Sequence, residues 1–125
     1  MITASNESQP YLTRFSNGKH TATADTTPDK GGENQGFRPH ELLEAALATC
    51  INMHLRMYAA NHGIQLGVVS TKVSLDRSSP SEAVFNYSME LSGQLHDEQR
   101  KKLLEIAETC PVHRTLSKKL SFRNL

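Results

Sequence analysis

The sequence contains no tryptophan, and aromatic residues make up only 6% of its 125 residues. A core with so few aromatic rings must rest on smaller apolar side chains, which makes a small lone monomer marginal and favours association. No apolar run approaches the length of a membrane span, and the first twelve residues lack the basic and apolar regions of a signal peptide. We therefore expect a cytoplasmic protein that has no membrane partner.

An excess of charge of either sign is also missing, since 14 basic and 13 acidic residues give a formal charge of +1. Nucleic-acid binding normally requires a basic surface, so we expect no nucleic-acid partner. Cysteine is scarce, with Cys50 and Cys110 alone. In a reducing compartment, two such cysteines are more typical of reduced thiols or of a transient redox pair than of a permanent disulfide.

The length predicts one domain over residues 1–125, and the order of its elements predicts an α+β fold with helices packed on an antiparallel sheet. The expected elements are a flexible N-terminus (1–9), a β-hairpin turning at Asn17-Gly18, a mobile glycine-rich loop (26–38), a long helix, two strands (64–76 and 84–93), a second helix (97–109) and a final edge strand (120–125).

The long helix is the strongest secondary-structure signal in the chain. Pro39 suits its first turn, where a missing N–H is harmless, and Gly63 suits the position just after its end. Apolar residues nearly encircle it between these limits. A helix that is apolar on most sides is buried on most sides, so we expect a partner subunit to cover part of it.

Cys50 lies in the middle of this helix and can be read in two ways. A cysteine on an apolar helix is often a small core residue. His54 follows one turn later on the same face, however, where a protonated imidazole could stabilise a thiolate. Both readings stay open from the residues alone.

Cys110 stands at a break, because Pro111 prevents an ordinary continuation of the preceding helix. A new helix can begin with Pro111 in its first turn, which would place Cys110 at the N-cap. Unpaired N–H groups and the positive end of the helix dipole would lower the pKa of a thiol at that position. The alternative is that Cys110 only fills a corner between two helices.

Two other kinds of chemistry fit the residues poorly. Cys50, His54, Cys110 and His113 form a nominal set of zinc ligands, but their spacing does not match a zinc-finger knuckle. A hydrolytic Cys–His enzyme would need an orienting third group and an oxyanion hole, and nothing in the sequence marks either one. We expect neither a metal site nor a cofactor.

Two segments, "RPHELLEAALATC" and "AETCPVHRTLSKKL", resemble the signature segments of the OsmC/Ohr family of osmotically inducible and organic-hydroperoxide-resistance proteins. The order of the predicted elements is similar along nearly the whole chain. The resemblance implies an OsmC-like fold with a long central helix, assembled as an intertwined homodimer with a site at each subunit interface.

The resemblance also implies a cysteine-based peroxidase that defends against oxidative stress by reducing organic hydroperoxides and possibly hydrogen peroxide. By position, Cys50 matches the peroxidatic cysteine, which becomes a sulfenic acid. Cys110 matches the resolving cysteine, which condenses with it to a disulfide. A dithiol or a lipoyl-bearing protein would then reduce the pair.

One departure concerns the groups that hold the thiolate. Peroxidase members of the family place a glutamate directly after the helix-opening proline, whereas here His40 stands there and Glu41 comes one residue later. One residue turns a side chain by more than a quarter of a helical turn, so Glu41 does not simply inherit the role. Arg14 and Arg38 both match the partner arginine loosely.

Two readings from other classes remain beside the peroxidase. The chain could be a non-catalytic OsmC-like dimer that binds a small apolar or thiol-reactive ligand, or a redox sensor that only forms the disulfide. A pair of cysteines favours the peroxidase, since a binding protein needs neither thiol. The displaced glutamate favours the binding protein.

Overall fold

The asparagine–glycine turn produces the predicted hairpin. Strands β2 (Thr13–Ser16) and β3 (Thr21–Ala24) pair antiparallel on either side of it. Gly18 adopts a φ of 94°, a conformation that favours glycine. The Asn17 side-chain oxygen accepts a hydrogen bond from the His20 amide at 2.8 Å. These local interactions fix the register of the hairpin.

The segment 1–9, expected to be a flexible N-terminus, contains a strand. β1 (Thr3–Asn6) pairs antiparallel with β2, which gives a three-stranded sheet of order β1–β2–β3. All four residues of β1 are exposed, so the strand leaves no alternation of buried and exposed side chains that the sequence could reveal. Backbone pairing with β2 forms it instead.

One carboxylate organises the glycine-rich loop. Asp25 is only 4% exposed, and its side chain accepts hydrogen bonds from the amides of Thr26, Glu33 and Gln35 at 2.7, 3.2 and 3.1 Å. A short 3₁₀ turn over Pro28–Lys30 interrupts the loop. The predicted mobility of residues 26–38 stays a prediction, but both sides of this loop are tied to the same side chain.

The long helix is confirmed as α1 (Pro39–Asn61). It begins at the predicted proline, and Gly63 follows its end with a φ of 63°. The amide of Ile64 donates to the carbonyl of Ala59 at 2.9 Å, which satisfies one of the final carbonyl groups. Pro39 and Gly63 therefore mark the start and the end of the helix as predicted.

Only one face of α1 is buried within the chain. The buried residues recur every four positions: Leu47, Ile51, Leu55 and Ala59. On another face, Met53 and Met57 are 44% and 61% exposed. The helix is thus apolar beyond what this chain covers, and the partner subunit that would cover the rest stays a prediction.

The buried face of α1 belongs to the core of residues 44–125. The two predicted strands form the antiparallel pair β4 (Leu66–Asp76) and β5 (Val84–Gly93). α1 is bonded to this sheet where the Asn52 side chain donates to the Val69 carbonyl at 2.8 Å. Apolar residues of both strands then pack against the buried helix residues.

Two shorter helices complete this core. α2 (Asp97–Ala107) ends two residues earlier than predicted, and α3 (Pro111–Leu116) begins at the predicted proline. Leu103 and Ala107 of α2 are fully buried with the α1 residues. The break between α2 and α3 is therefore held against the core.

The final edge strand predicted over residues 120–125 is wrong, since these residues have no regular secondary structure. Leu120 and Phe122 are 54% and 95% exposed. Alternating apolar residues are compatible with a strand, but a strand also needs an edge to pair with. Within this chain no edge is paired with the segment.

The predicted α+β class with antiparallel sheets and a long helix is confirmed, although the strands form two sheets rather than one. The computed structural model describes residues 1–125 as two compact units, residues 1–43 and residues 44–125. The single domain predicted from length stays a prediction. None of the helices combines the length and apolar character that crossing a membrane would require.

The Asp25 carboxylate should control the stability of the glycine-rich loop. Backbone hydrogen bonds, that from Gln35 foremost, hold the pKa of Asp25 below its usual value. Asp25→Asn would turn an amide NH₂ group toward amide donors, so hydrogen exchange at Glu33 and Gln35 should accelerate roughly tenfold or more. NMR-detected exchange measures this, with Asp97→Asn as a charge-matched control.

The same carboxylate sets the pH dependence of the loop. Because the folded pKa is lowered, the stabilisation is fully present above the unfolded aspartate value of about 4 and is lost only as the pH falls through the folded pKa. Protection of the Glu33 and Gln35 amides should therefore persist at mildly acidic pH. Equal exchange rates in Asp25→Asn and in the unmodified protein would contradict this role.

Candidate active site

α1 presents Cys50 at the border between its buried and exposed faces. The side chain is half-buried, with Ile51 fully buried beside it and the exposed Met53 almost one turn further on. Regular helix geometry fixes this placement, because residues three and four positions apart lie on the same side of a helix. The thiol is thus held by the core yet partly open to solvent.

The break at Cys110 has the predicted geometry. Cys110 is the N-cap of α3, with an extended backbone at φ −62° and ψ 146°, and Pro111 occupies the first turn. The Cys110 side chain is fully buried among Leu103, Ala107 and residues of α1. The second cysteine is therefore both a helix cap and a core residue.

Both sulfur atoms accept hydrogen bonds from amides at the start of α3. The amide of Val112 donates to Cys50 Sγ at 3.5 Å, and the next amide, that of His113, donates to Cys110 Sγ at 3.3 Å. Both cysteines are free thiols in this structure. Two consecutive amides of one helical turn thus donate to the two thiols, one on α1 and the other at the N-cap of α3.

The predicted lowering of the Cys110 pKa is wrong. Burial raises the pKa of this thiol above its usual value, and the neighbouring Cys50 thiol raises it further. The amides of His113 and Val112 act in the opposite direction. The amides predicted to stabilise the thiolate are present, but burial of the side chain, which no local sequence pattern reveals, outweighs them.

His54 is bonded to a partner that the sequence did not indicate. Its Nε2 atom lies 2.9 Å from Thr109 Oγ1, so its side-chain hydrogen bond is with the residue before Cys110 rather than with the Cys50 thiol. Thr109 carries no sequence signal beyond its position next to a cysteine. The role of His54 beside the Cys50 thiolate stays a prediction.

The other predicted site residues belong to residues 1–43 and form separate pairs. Arg38 Nε and Glu41 Oε1 form an ion pair at 3.0 Å, and the Arg38 amide also donates to that oxygen at 2.9 Å. These hydrogen bonds, the backbone one foremost, lower the pKa of Glu41. Arg14 pairs with Glu7 at 3.0 Å. His40 is exposed at the start of α1.

His113 belongs to the thiol site through its backbone and contacts the sheet through its side chain. Its ring meets the ring of Tyr87 on β5 edge to face, with centroids 6.1 Å apart. Burial, and then the charges of Glu108 and Cys110, raise the pKa of Tyr87. No cluster of three or more His, Cys, Asp or Glu side chains in the chain could hold a metal ion.

The fold and the cysteine pair define the class of this protein. The sequence pattern of the OsmC-like protein family matches residues 32–123, which is most of the chain and includes both cysteines. The chain belongs to the OsmC-like family. A comparison with proteins of curated function finds no match.

Solved structures show the same fold at low sequence identity. An OsmC-like protein from Mycoplasma pneumoniae is 21% identical over 93% of this chain and 85% of its own, with a TM-score of 0.78. An organic hydroperoxide resistance protein OsmC from Legionella pneumophila is 21% identical over 94% and 88%, with a TM-score of 0.67. The organic hydroperoxide resistance protein OhrB of Bacillus subtilis is 22% identical over 94% and 89%, with a TM-score of 0.59.

The different burial of the two cysteines predicts the order in which they react. In the reduced native protein, iodoacetamide should modify the half-buried Cys50 well before the fully buried Cys110, whose thiolate form burial also disfavours. Peptide mass spectrometry after timed quenching measures both sites. Denatured protein, in which both thiols are exposed, is the control. Modification of Cys110 first in the native protein would contradict the assignment.

Proposed function

We propose that the protein is a thiol-dependent peroxidase that reduces organic hydroperoxides through Cys50 and Cys110. The observation that carries this proposal is the bonding of both reduced sulfurs to consecutive amides at the start of α3. Membership of the OsmC-like family supports it, as do structural neighbours named for organic hydroperoxide resistance.

Cys50 is the nucleophile in this proposal. Its thiolate attacks the hydroxyl oxygen of the hydroperoxide, and an S–O bond forms as the O–O bond breaks. Cys50 becomes a sulfenic acid, and the alkoxide leaves as an alcohol after protonation. The Val112 amide donates to the sulfur and stabilises its negative charge before the attack. Cys50 suits this step because it is the thiol with solvent access.

Cys110 resolves the product. Its sulfur attacks the Cys50 sulfenic acid, which forms the disulfide and releases water. Burial keeps Cys110 largely protonated and shields it from peroxide, so it is spared while Cys50 reacts. A dithiol, such as a lipoyl-bearing protein, then reduces the disulfide. Such a cycle suits a reducing compartment, and we place the protein in the cytoplasm.

Arg38 and Glu41 are proposed as the acid–arginine pair of this chain. These two residues pair with each other, whereas Arg14 is engaged by Glu7. The low pKa of Glu41 keeps its carboxylate ionised and able to orient the Arg38 guanidinium. This arrangement restores an acid–arginine pair although His40 occupies the usual glutamate position.

The proposed active form is a homodimer. The exposed apolar residues of α1 lie seven, four and three positions apart, a heptad-like spacing at which helices pack against one another: Ala46, Met53, Met57 and Ala60. In a twofold-symmetric dimer the same face of α1 on each subunit would cover the other, so no different protein is required. Cys50 borders this face, so the proposed dimer would place each thiol beside the subunit interface.

The peroxidase is tested with reduced protein, cumene hydroperoxide and a sulfenic acid trap. The unmodified protein should form an intramolecular disulfide, Cys110→Ser should accumulate a trapped sulfenic acid at Cys50, and Cys50→Ser should lose at least about tenfold in rate. Hydrogen peroxide is compared in parallel.

Each contrary outcome has a distinct meaning. Peroxide consumption by Cys50→Ser at the full rate would exclude Cys50 as the nucleophile. Binding of a hydroperoxide by the unmodified protein without thiol oxidation would indicate a non-catalytic binding protein. Disulfide formation without turnover in the presence of dithiols would indicate a redox sensor.

The dimer is tested by placing a charge on the exposed face of α1. Met57→Glu would bury a carboxylate in the proposed interface, so the dissociation constant should rise by about tenfold or more. Sedimentation velocity over a concentration series measures it. Leu104→Glu on α2, where the native side chain is 48% exposed, is the matched control and should leave association unchanged. A monomeric unmodified protein would contradict the proposal.

A further inference from the structure

A half-buried hydrogen bond joins α1 to the segment between α2 and α3. The Thr109 hydroxyl donates its hydrogen to the Ile106 carbonyl at 2.7 Å. Its oxygen must therefore accept the hydrogen bond from His54 Nε2, 2.9 Å away, which places a proton on that nitrogen. The threonine hydroxyl thus bonds to one backbone partner and to one partner on α1.

The hydrogen bond between His54 and Thr109 joins residues that lie close to the two cysteines in the sequence. His54 lies one turn after Cys50 on α1, and Thr109 directly precedes Cys110. The bond therefore joins the same two segments of chain that carry the two thiols. The sulfur–amide bonds at this site are longer, at 3.3 and 3.5 Å.

We propose that His54 and Thr109 are positioning residues that hold Cys110 against Cys50 for disulfide formation. A disulfide can close only when the two Cα atoms lie within about 7 Å and the sulfurs are correctly oriented. The segment from Glu108 to Cys110 lies between the two helices, and its amides donate to carbonyls at the end of α2 at 3.2, 2.9 and 3.4 Å. These backbone bonds tie the segment to α2 and not to α1. A bond to the rigid α1 raises the effective concentration of Cys110 at Cys50.

The inference rests on the proposed function only for the source of the sulfenic acid. In the peroxidase cycle, Cys110 sulfur attacks Cys50 sulfur, an S–S bond forms, the S–O bond breaks, and the hydroxyl leaves as water with the thiol proton. The hydroperoxide has already supplied the oxidising equivalents. The same closure occurs when a mixed disulfide on Cys50 is displaced by Cys110, which needs no peroxide.

The test therefore uses a symmetrical aryl disulfide whose released thiolate is coloured. Its reaction with Cys50 releases one thiolate, and closure of the Cys50–Cys110 disulfide releases a second. Thr109→Val keeps the shape of the side chain and removes the hydroxyl, and His54→Leu removes the donor. Each should slow the second release about three- to tenfold, the effect expected for one neutral hydrogen bond. Thr109→Val should leave the first release unchanged, whereas a change of the first release in His54→Leu would report the separately predicted effect of the imidazole on the Cys50 thiolate.

Conservative variants separate positioning from structural damage. Thr109→Ser retains the acceptor and His54→Gln can present an N–H near the Nε2 position, so both should close the disulfide at nearly the rate of the unmodified protein. The His54→Leu, Thr109→Val double variant should be no slower than either single variant, because both remove the same bond. If His54→Leu does not fold, as judged by circular dichroism, Thr109→Val decides the question.

Failure of the peroxidase proposal and failure of the positioning role of His54 and Thr109 give different results. If Cys50 does not react with hydroperoxide, hydroperoxide gives no disulfide in any variant, while the aryl disulfide still reports closure. If it does react, Thr109→Val should show more sulfinic acid at Cys50 after excess hydroperoxide, because slower closure prolongs the sulfenic acid. Second release from Thr109→Val at the unmodified rate, or additive losses in the double variant, would overturn the inference.

Discussion

The start of α3 is the feature on which the thiol site depends. The first amides of a helix have no partner within it, and here two of them, from Val112 and His113, donate to the two sulfurs. Pro111 creates this situation, because it ends the preceding helical path and begins a new one next to Cys110. A single Cys–Pro break therefore presents both the second thiol and the donors that serve the pair.

Burial then makes the two thiols unequal. Cys50 lies at the border of the buried face of α1, whereas Cys110 belongs to the core with Leu103 and Ala107. The cost of removing a thiolate from water outweighs the amide donors, which is why burial raises the pKa of Cys110. In the proposed cycle this difference directs the peroxide to one sulfur and reserves the other for resolution.

Much of this arrangement could be predicted from the glycine, proline and asparagine residues that set turns and helix ends. Asn17-Gly18, Pro39, Gly63 and Pro111 set turns and helix limits through local backbone preferences, and the structure follows each of them. The family resemblance, which rests on segments around both cysteines, is likewise confirmed. Sequence patterns predict turns and helix ends correctly because residues close together in the chain determine them.

The features that sequence reasoning missed depend on distant partners. β1 exists because it pairs with β2, and the predicted strand over residues 120–125 is absent because no edge within the chain pairs with it. The bond between His54 and Thr109, and the burial that raises the Cys110 pKa, arise only when α1 packs against the break between α2 and α3. The Asp25 network joins residues up to ten positions apart.

The central claim is that Cys50 and Cys110 of the same chain form one redox pair, and intact-mass spectrometry tests it most directly. One equivalent of cumene hydroperoxide added to fully reduced protein should lower the mass of each chain by two hydrogen atoms, with a single peptide linkage between Cys50 and Cys110 after digestion. A stable gain of one oxygen atom on Cys50 without that linkage, or a linkage between two chains, would contradict the account.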